Sequence, residues 1–158
     1  MWRAQAGILQ EADGDGIISI SMRIMGIDYG TKRIGVAVSD PSCTMAHPLD
    51  IVLVREDGSH IESLKKIARD YQVDRVVVGL PFNMDGDMGE SALKVARWSE
   101  DLCRRLDLPV ELWDERLTTS EAHEILMHLK VKGPKRRQIV DKIAASIILK
   151  SYLDARQP

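Results

Sequence analysis

Residues 23–39 read Arg23-Ile24-Met25-Gly26-Ile27-Asp28-Tyr29-Gly30-Thr31-Lys32-Arg33-Ile34-Gly35-Val36-Ala37-Val38-Ser39. Two largely apolar runs flank the short stretch Gly30-Thr31-Lys32, which predicts strands over 23–29 and 33–39, joined by a tight turn and paired antiparallel. Asp40-Pro41 ends the second strand. Residues 46–54 (AHPLDIVLV) read as a third, less regular strand, and Ser59-x-x-Glu62 opens a helix in a capping-box pattern, with Ile61, Leu64, Lys65, Ile67, Ala68 and Tyr71 supplying its apolar face. Asp74 to Leu80 (DRVVVGL) is a continuous apolar run of the kind found in buried parallel strands. Residues 89–107 read as a helix, Val110 to Trp113 as a short strand, Thr118 to about Leu129 as a helix behind a second capping box (Thr118-x-x-Glu121), and 136–155 as the last helix. A meander of three strands followed by alternating helices and strands predicts an α/β fold. Its mixed five-stranded sheet is antiparallel over the first three strands and parallel thereafter, with helices on both faces.

The 158 residues, 44% hydrophobic and 29% charged, suffice for one ordinary core and hardly for two. Residues 1–22 mix Gly, Asp, Ala and Gln without periodicity, and are expected to form a disordered extension that carries no chemistry, with Met22 as the functional start; 23–158 is then a single domain. Apolar stretches such as Val76-Val77-Val78 fall far short of the roughly 18 residues a membrane span needs, and no secretory leader opens the chain, so no membrane partner is expected. Cys43 and Cys103 have no CxxC or histidine-spaced partner, which argues against a disulfide framework or a structural zinc site and for a reducing cytoplasm. The net charge of −2 is unevenly spread. Residues 1–22 carry one positive and three negative charges, residues 130–158 eight positive and two negative, and the middle 13 against 19. An acidic body with a basic C-terminal segment suits cations in one place and polyanion backbone in another; an ordinary solvated helix face is the alternative.

Three carboxylates stand where charge is normally avoided. Asp28 lies inside the first strand. Asp114-Glu115 ends the strand VELW, on the carboxyl edge where open α/β sheets build their sites. Asp141 lies in the last helix, where about 100° per residue puts Ile139, Val140, Ile143, Ala144, Ile147 and Ser151 on the core-facing stripe and Asp141 at its border. Each has an ordinary reading: Asp28 as a turn cap, Glu115 as the start of a loop, Asp141 as an i−4 partner of Arg137. Taken together they can converge, and converging like charges are costly unless a cation neutralises them. A donor set of oxygens without His or Cys suits Mg²⁺ or Mn²⁺, ions that support phosphodiester hydrolysis.

GIDYGTKRIGVAVSD (26–40), VVVGLPFNMDG (76–86), WDERLTT (113–119) and VDKIAASIILKSYLD (140–154) resemble the YqgF/RuvX family, described as Holliday junction resolvases and as nucleases maturing the precursor of small-subunit ribosomal RNA. The resemblance spans essentially all of 23–155. It implies a ribonuclease H-like fold and a metal-dependent endonuclease that processes the 5′ end of the 16S ribosomal RNA precursor, resolves Holliday junctions, or both. The family's catalytic and metal-binding acidic triad falls on Asp28, Glu115 and Asp141.

The remaining motifs read as nucleic-acid contacts. The turn Gly30-Thr31-Lys32-Arg33 offers backbone N–H groups and two cations to a phosphate, or is a plain hairpin turn. Asn83 in the loop after VVVGL can bond sugar or phosphate, while Asp85 fits an Asp-Gly turn better than an outer carboxylate. Arg116 either touches the scissile phosphate or pairs with Asp114. Lys130, Lys132, Lys135, Arg136 and Arg137 place five cations in eight residues around Gly133-Pro134, a backbone clamp carrying no sequence information. Aromatics make up only 4% of the chain, which argues against a single-strand binder that works by base stacking. His47, His60, His123 and His128 read as structural or surface residues. The expected partner is structured RNA or branched DNA, bound by a monomer or a homodimer; paired cuts of a symmetric junction favour the dimer. Two other classes stay open. One is a sugar-kinase-like ATP-binding protein, which GIDYGTKRIGVAV resembles but for which one domain is too short. The other is a non-catalytic RNA-binding or transcription-associated module of the same fold.

Overall fold

The computed structural model describes residues 10–11, 18–19, 23–83, 85–118, 124 and 133–156. Five strands form one sheet: β1 (Arg23–Tyr29), β2 (Arg33–Ser39), β3 (Ala46–Leu53), β4 (Val73–Leu80) and β5 (Val110–Asp114). Their order is β3-β2-β1-β4-β5. β2 pairs antiparallel with both β1 and β3, whereas β4 runs parallel to β1 and β5 parallel to β4. This is the mixed sheet expected. Gln10–Glu11 and Ile18–Ser19 pair antiparallel in a separate two-stranded ribbon within the segment expected to be an extension.

Helix α1 (Ser59–Asp70) connects β3 to β4, α2 (Glu90–Leu106) connects β4 to β5, and α3 (Pro134–Arg156) closes the chain. Side chains alternate across a strand, so each strand serves two cores. Met25, Ile27, Ile34, Val36, Val76 and Val78 pack with α1 and α2, while Ile24, Ala37 and Val77 pack with α3. Tyr29 stacks on Trp98 of α2 with ring centroids 4.3 Å apart, which ties the end of β1 to that helix. Each large apolar side chain so buried contributes about 1.5–3 kcal/mol. Helices therefore cover both faces.

Two expectations fail in detail. No capping box forms at Ser59: Ser59 is already helical, Gly58 at φ 77° is the N-cap, and the Ser59 N–H donates to Asp57 Oδ1 at 2.9 Å. A glycine in the left-handed region turns the chain sharply enough for Asp57 to reach the helix start first. The core-facing stripe of α3 is also rotated from the expected one. Ala145, Ile148, Leu149, Tyr152 and Leu153 are buried, whereas Ile139, Val140, Ile143, Ala144, Ile147 and Ser151 are only partly covered. Apolar residues occupy several sides of α3, so periodicity could not fix its phase. With the stripe corrected, Asp141 precedes Ala145, Ile148 and Tyr152 at i+4, i+7 and i+11, and continues the sheet-facing line instead of bordering it. The helix expected over 118–129 lies outside the described residues apart from Thr118 and a helical Glu124, as do His123 and His128.

Candidate active site

The α3-facing side of the sheet is floored with glycine. A Cβ at Gly26 would stand 2.6 Å from Leu149 Cβ, one at Gly35 only 2.0 Å from the Asp141 carbonyl oxygen, and one at Gly79 2.5 Å from Ile148 Cδ1 and 2.7 Å from Glu115 Oε1. Real side chains do not tolerate such separations, so these glycines let α3 and the Glu115 side chain lie against the strands. Asp28 points to the same side. It pairs in register with Gly35 on β2, and on β4 it stands beside Gly79, one position past the Ile27–Val78 pair. Asp141 thus lies over the glycine on one flank of Asp28, and Glu115 over the glycine on the other.

The electrostatics follow from that arrangement. Burial first, then the charges of Glu115 and Asp141, push the Asp28 carboxyl from 3.8 up to about 7. Burial and the neighbouring Asp114 charge also push Glu115 above its ordinary value. Glu115 opens a 3₁₀ turn, Glu115–Leu117, held at three points. Asp114 Oδ1 accepts the Arg116 N–H at 2.9 Å, the Thr118 hydroxyl donates to the Glu115 carbonyl at 2.8 Å, and Ser151 of α3 donates to the Leu117 carbonyl at 3.2 Å. Trp113 Nε1 donates to the same Ser151 Oγ at 3.1 Å. The turn carrying Glu115 is thereby tied to the helix carrying Asp141.

Asp141 is paired across the chain with β2, since Arg33 Nε donates to Asp141 Oδ2 at 2.9 Å. Among the described residues no three carboxylate, imidazole or thiol groups stand close enough together to enclose an ion. The donor set nonetheless suits a hard divalent cation: three carboxylates on one face, with Asp28 carrying a charge that its neighbours make costly to keep.

A family model for RuvX, described as Holliday junction resolvase, matches residues 22–155. The chain belongs to this family. A protein of Pelotomaculum thermopropionicum named "Putative pre-16S rRNA nuclease" is 45% identical over 136 residues, covering 85% of this chain and 88% of its own. One of the same name from Halothermothrix orenii is 43% identical over 133 residues, covering 84% and 95%. The fold is shared with the Fowlpox virus resolvase solved with Holliday junction DNA, at a TM-score of 0.52 and 12% identity, covering 87% of this chain and all of that one. Family membership bears out the resemblance read from the four motifs, and the resolvase likeness bears out the ribonuclease H-like sheet.

Around the triad the expected contacts divide. Thr31 and Lys32 are exposed on the β1–β2 turn, which the Gly30 N–H closes onto the Arg33 carbonyl at 2.9 Å. Arg33 turns inward to Asp141. Asn83 is exposed and lies over Gly89 at the start of α2; its backbone closes a small loop with Gly86 and Asp87, and Asp85 Oδ1 accepts the Asp87 N–H at 3.0 Å. Arg116 pairs with Asp114 (Nη2–Oδ2 2.7 Å) and lies over the Phe82 ring at 4.9 Å, which fixes its guanidinium beside the loop that holds Asn83. Lys135 is exposed at the start of α3, while Lys132 and the side chains of Arg136 and Arg137 lie outside the described residues. His60 is buried and accepts the Arg55 N–H, and His47 is exposed.

Two participants escaped the sequence reading. Gly79 interrupts an otherwise β-branched run, a signal of close approach in a strand, and it makes room for Glu115. The Arg33–Asp141 pair spans 108 positions in sequence. Its available signal was parity, since Arg33 shares a strand face with Gly35.

Proposed function

We propose that the chain is a divalent-metal-dependent endonuclease of structured nucleic acid, acting on the precursor of 16S ribosomal RNA. The observation that carries the mechanism is the placement of Asp28 between Gly35 and Gly79, with Asp141 and Glu115 over those glycines and the Asp28 carboxyl pushed up to about 7. Asp28, Glu115 and Asp141 would hold Mg²⁺ or Mn²⁺, which when bound supplies an activated water and stabilises charge at the scissile phosphate. The chain's own residues orient the substrate. The exposed Thr31 and Lys32 turn offers N–H groups and a cation to the backbone, Asn83 and Arg116 stand on the other rim, and the Lys132–Arg137 segment holds the backbone at a distance. The substrate assignment is supported by relatives above 40% identity that bear the 16S precursor name.

Branched DNA is the second reading, supported by the family description. Cleavage of a panel tests both: structured precursor RNA, a four-way DNA junction, plain duplex and single strands, each with Mg²⁺ or Mn²⁺. The expected result is metal-dependent cutting of the precursor RNA by the wild type, lost in Asp28→Asn with binding retained. Cutting of the junction alone moves the assignment to DNA. Binding without cutting by any preparation returns the chain to the non-catalytic module.

A further inference from the structure

The Asp141 carboxylate has two claims on it. Its helix is fixed against the sheet, with its carbonyl over Gly35, so only the short side chain can turn. Its Oδ2 is taken by Arg33 Nε at 2.9 Å, while its charge acts on Asp28. The backbone of Arg33 is equally fixed, since its carbonyl accepts the Gly30 N–H that closes the turn. Both side chains keep about a quarter of their surface in water, 28% and 26%, so an incoming group can reach the pair. Arg33 directly follows the exposed Thr31 and Lys32 on the turn proposed to meet the nucleic-acid backbone.

We propose that Arg33 is the resident counter-cation of Asp141, and that the ion pair withholds this carboxylate from the metal until a nucleic-acid phosphate takes the guanidinium. This rests on the metal-dependent nuclease reading and adds the order of assembly to it. The physical basis is exchange between like interactions. Arg33 gives up a single N–H···O bond to a carboxylate and gains a phosphate, which guanidinium binds through two parallel bonds; Asp141 gives up one cation and gains another. A partly exposed pair is weak enough to be exchanged in this way. While Arg33 holds Asp141, the three carboxylates offer the metal two free ligands and not three. Linkage then makes metal and nucleic acid bind cooperatively and reciprocally. Arg33 acts here as a positioning residue, through Asp141.

The test measures Mn²⁺ affinity of the full chain, with and without an RNA hairpin carrying uncleavable phosphorothioate linkages, for wild type, Arg33→Gln and Arg33→Lys. Without RNA, Arg33→Gln is expected to bind Mn²⁺ about tenfold more tightly than wild type, because Asp141 is released. RNA should tighten Mn²⁺ binding by a similar factor in wild type and by little in Arg33→Gln. Arg33→Lys keeps a cation beside Asp141 and should stay near wild type without RNA, which keeps the comparison informative if the glutamine variant unfolds. Unchanged or weaker Mn²⁺ binding in folded Arg33→Gln overturns the proposal, since Arg33 would then be aiming Asp141 at the metal. Wild type that binds Mn²⁺ equally with and without RNA also overturns it while leaving the nuclease reading intact. No Mn²⁺ binding by any variant, with or without RNA, overturns both.

Discussion

At the scale of single residues the costliest feature of the chain is the charge on Asp28. Its carboxyl is raised from 3.8 to about 7 by burial and by two neighbouring carboxylates, so in that pH window the folded protein holds a proton that the unfolded chain has released. Unfolding then releases a proton, and the stability of the metal-free protein must fall as pH rises from about 4 to about 7, by a few kcal/mol at about 1.4 kcal/mol per unit. The upward shift of Glu115 acts in the same direction, so the informative quantity is the difference from Asp28→Asn. In the presence of a chelator, the wild-type Tm should drop several degrees between pH 5 and pH 8. That of Asp28→Asn should drop less and exceed wild type at pH 8. Mg²⁺ added at pH 8 should raise the wild-type Tm and leave the variant nearly unchanged. Parallel Tm curves for the two proteins would mean that Asp28 does not carry the buried charge assigned to it.

At the scale of elements, the site exists because α3 and the Glu115 turn can lie on a glycine floor, and the glycines differ in what they hold back. A Cβ at Gly35 meets backbone, the Asp141 carbonyl at 2.0 Å, whereas a Cβ at Gly79 meets the far ends of Ile148 and Glu115. Backbone cannot step aside without moving the helix. Gly35→Ala should therefore cost about 2–3 kcal/mol, visible as a lower midpoint in urea denaturation. Gly79→Ala should cost less stability but displace the Glu115 carboxylate, lowering cleavage by about a hundredfold at unchanged substrate affinity. Equal stability losses in the two variants would refute this division. The same contrast explains what was legible in the sequence. Strands β1, β2 and β4 announced themselves through apolar runs bounded by turn residues, and Asp28, Glu115 and Asp141 stood out as charges in apolar surroundings. The phase of α3 did not, because apolar residues on several of its sides leave the choice of buried face to the sheet beneath. Nor did the Ser59 capping box survive, since the conformation of Gly58 put Asp57 ahead of it. Long-range pairs such as Arg33–Asp141 depend on which strand lies under which helix turn, and no local pattern encodes that.

At the scale of the whole molecule, charge separation and symmetry determine what the site can be offered. Residues 23–129 carry a net charge of −6, while six net positive charges lie beyond residue 129, five cations of that segment falling at 130–137, up to and into the first turn of the helix that bears Asp141. Contacts of this kind release counterions from the nucleic-acid backbone, with a slope in log K against log salt of about 0.9 per duplex phosphate. Replacing Lys135, Arg136 and Arg137 together by glutamine should weaken binding to every substrate alike and reduce that slope by about 2–3; an unchanged slope removes the clamp. Symmetry discriminates further between the two substrates. A four-way junction presents two equivalent strands, and paired cuts need two active sites related by a twofold axis, whereas trimming one end of a ribosomal precursor needs a single site. Among the described residues, each chain brings together one such set of carboxylates, the proposed triad of Asp28, Glu115 and Asp141. Light scattering coupled to size exclusion, at micromolar protein and with each substrate added, is therefore expected to find a monomer on precursor RNA. A dimer that forms with the junction and cuts both of its strands would shift the assignment from RNA processing to recombination. A monomer throughout would leave the junction, at most, as a structure that this nuclease nicks on one side.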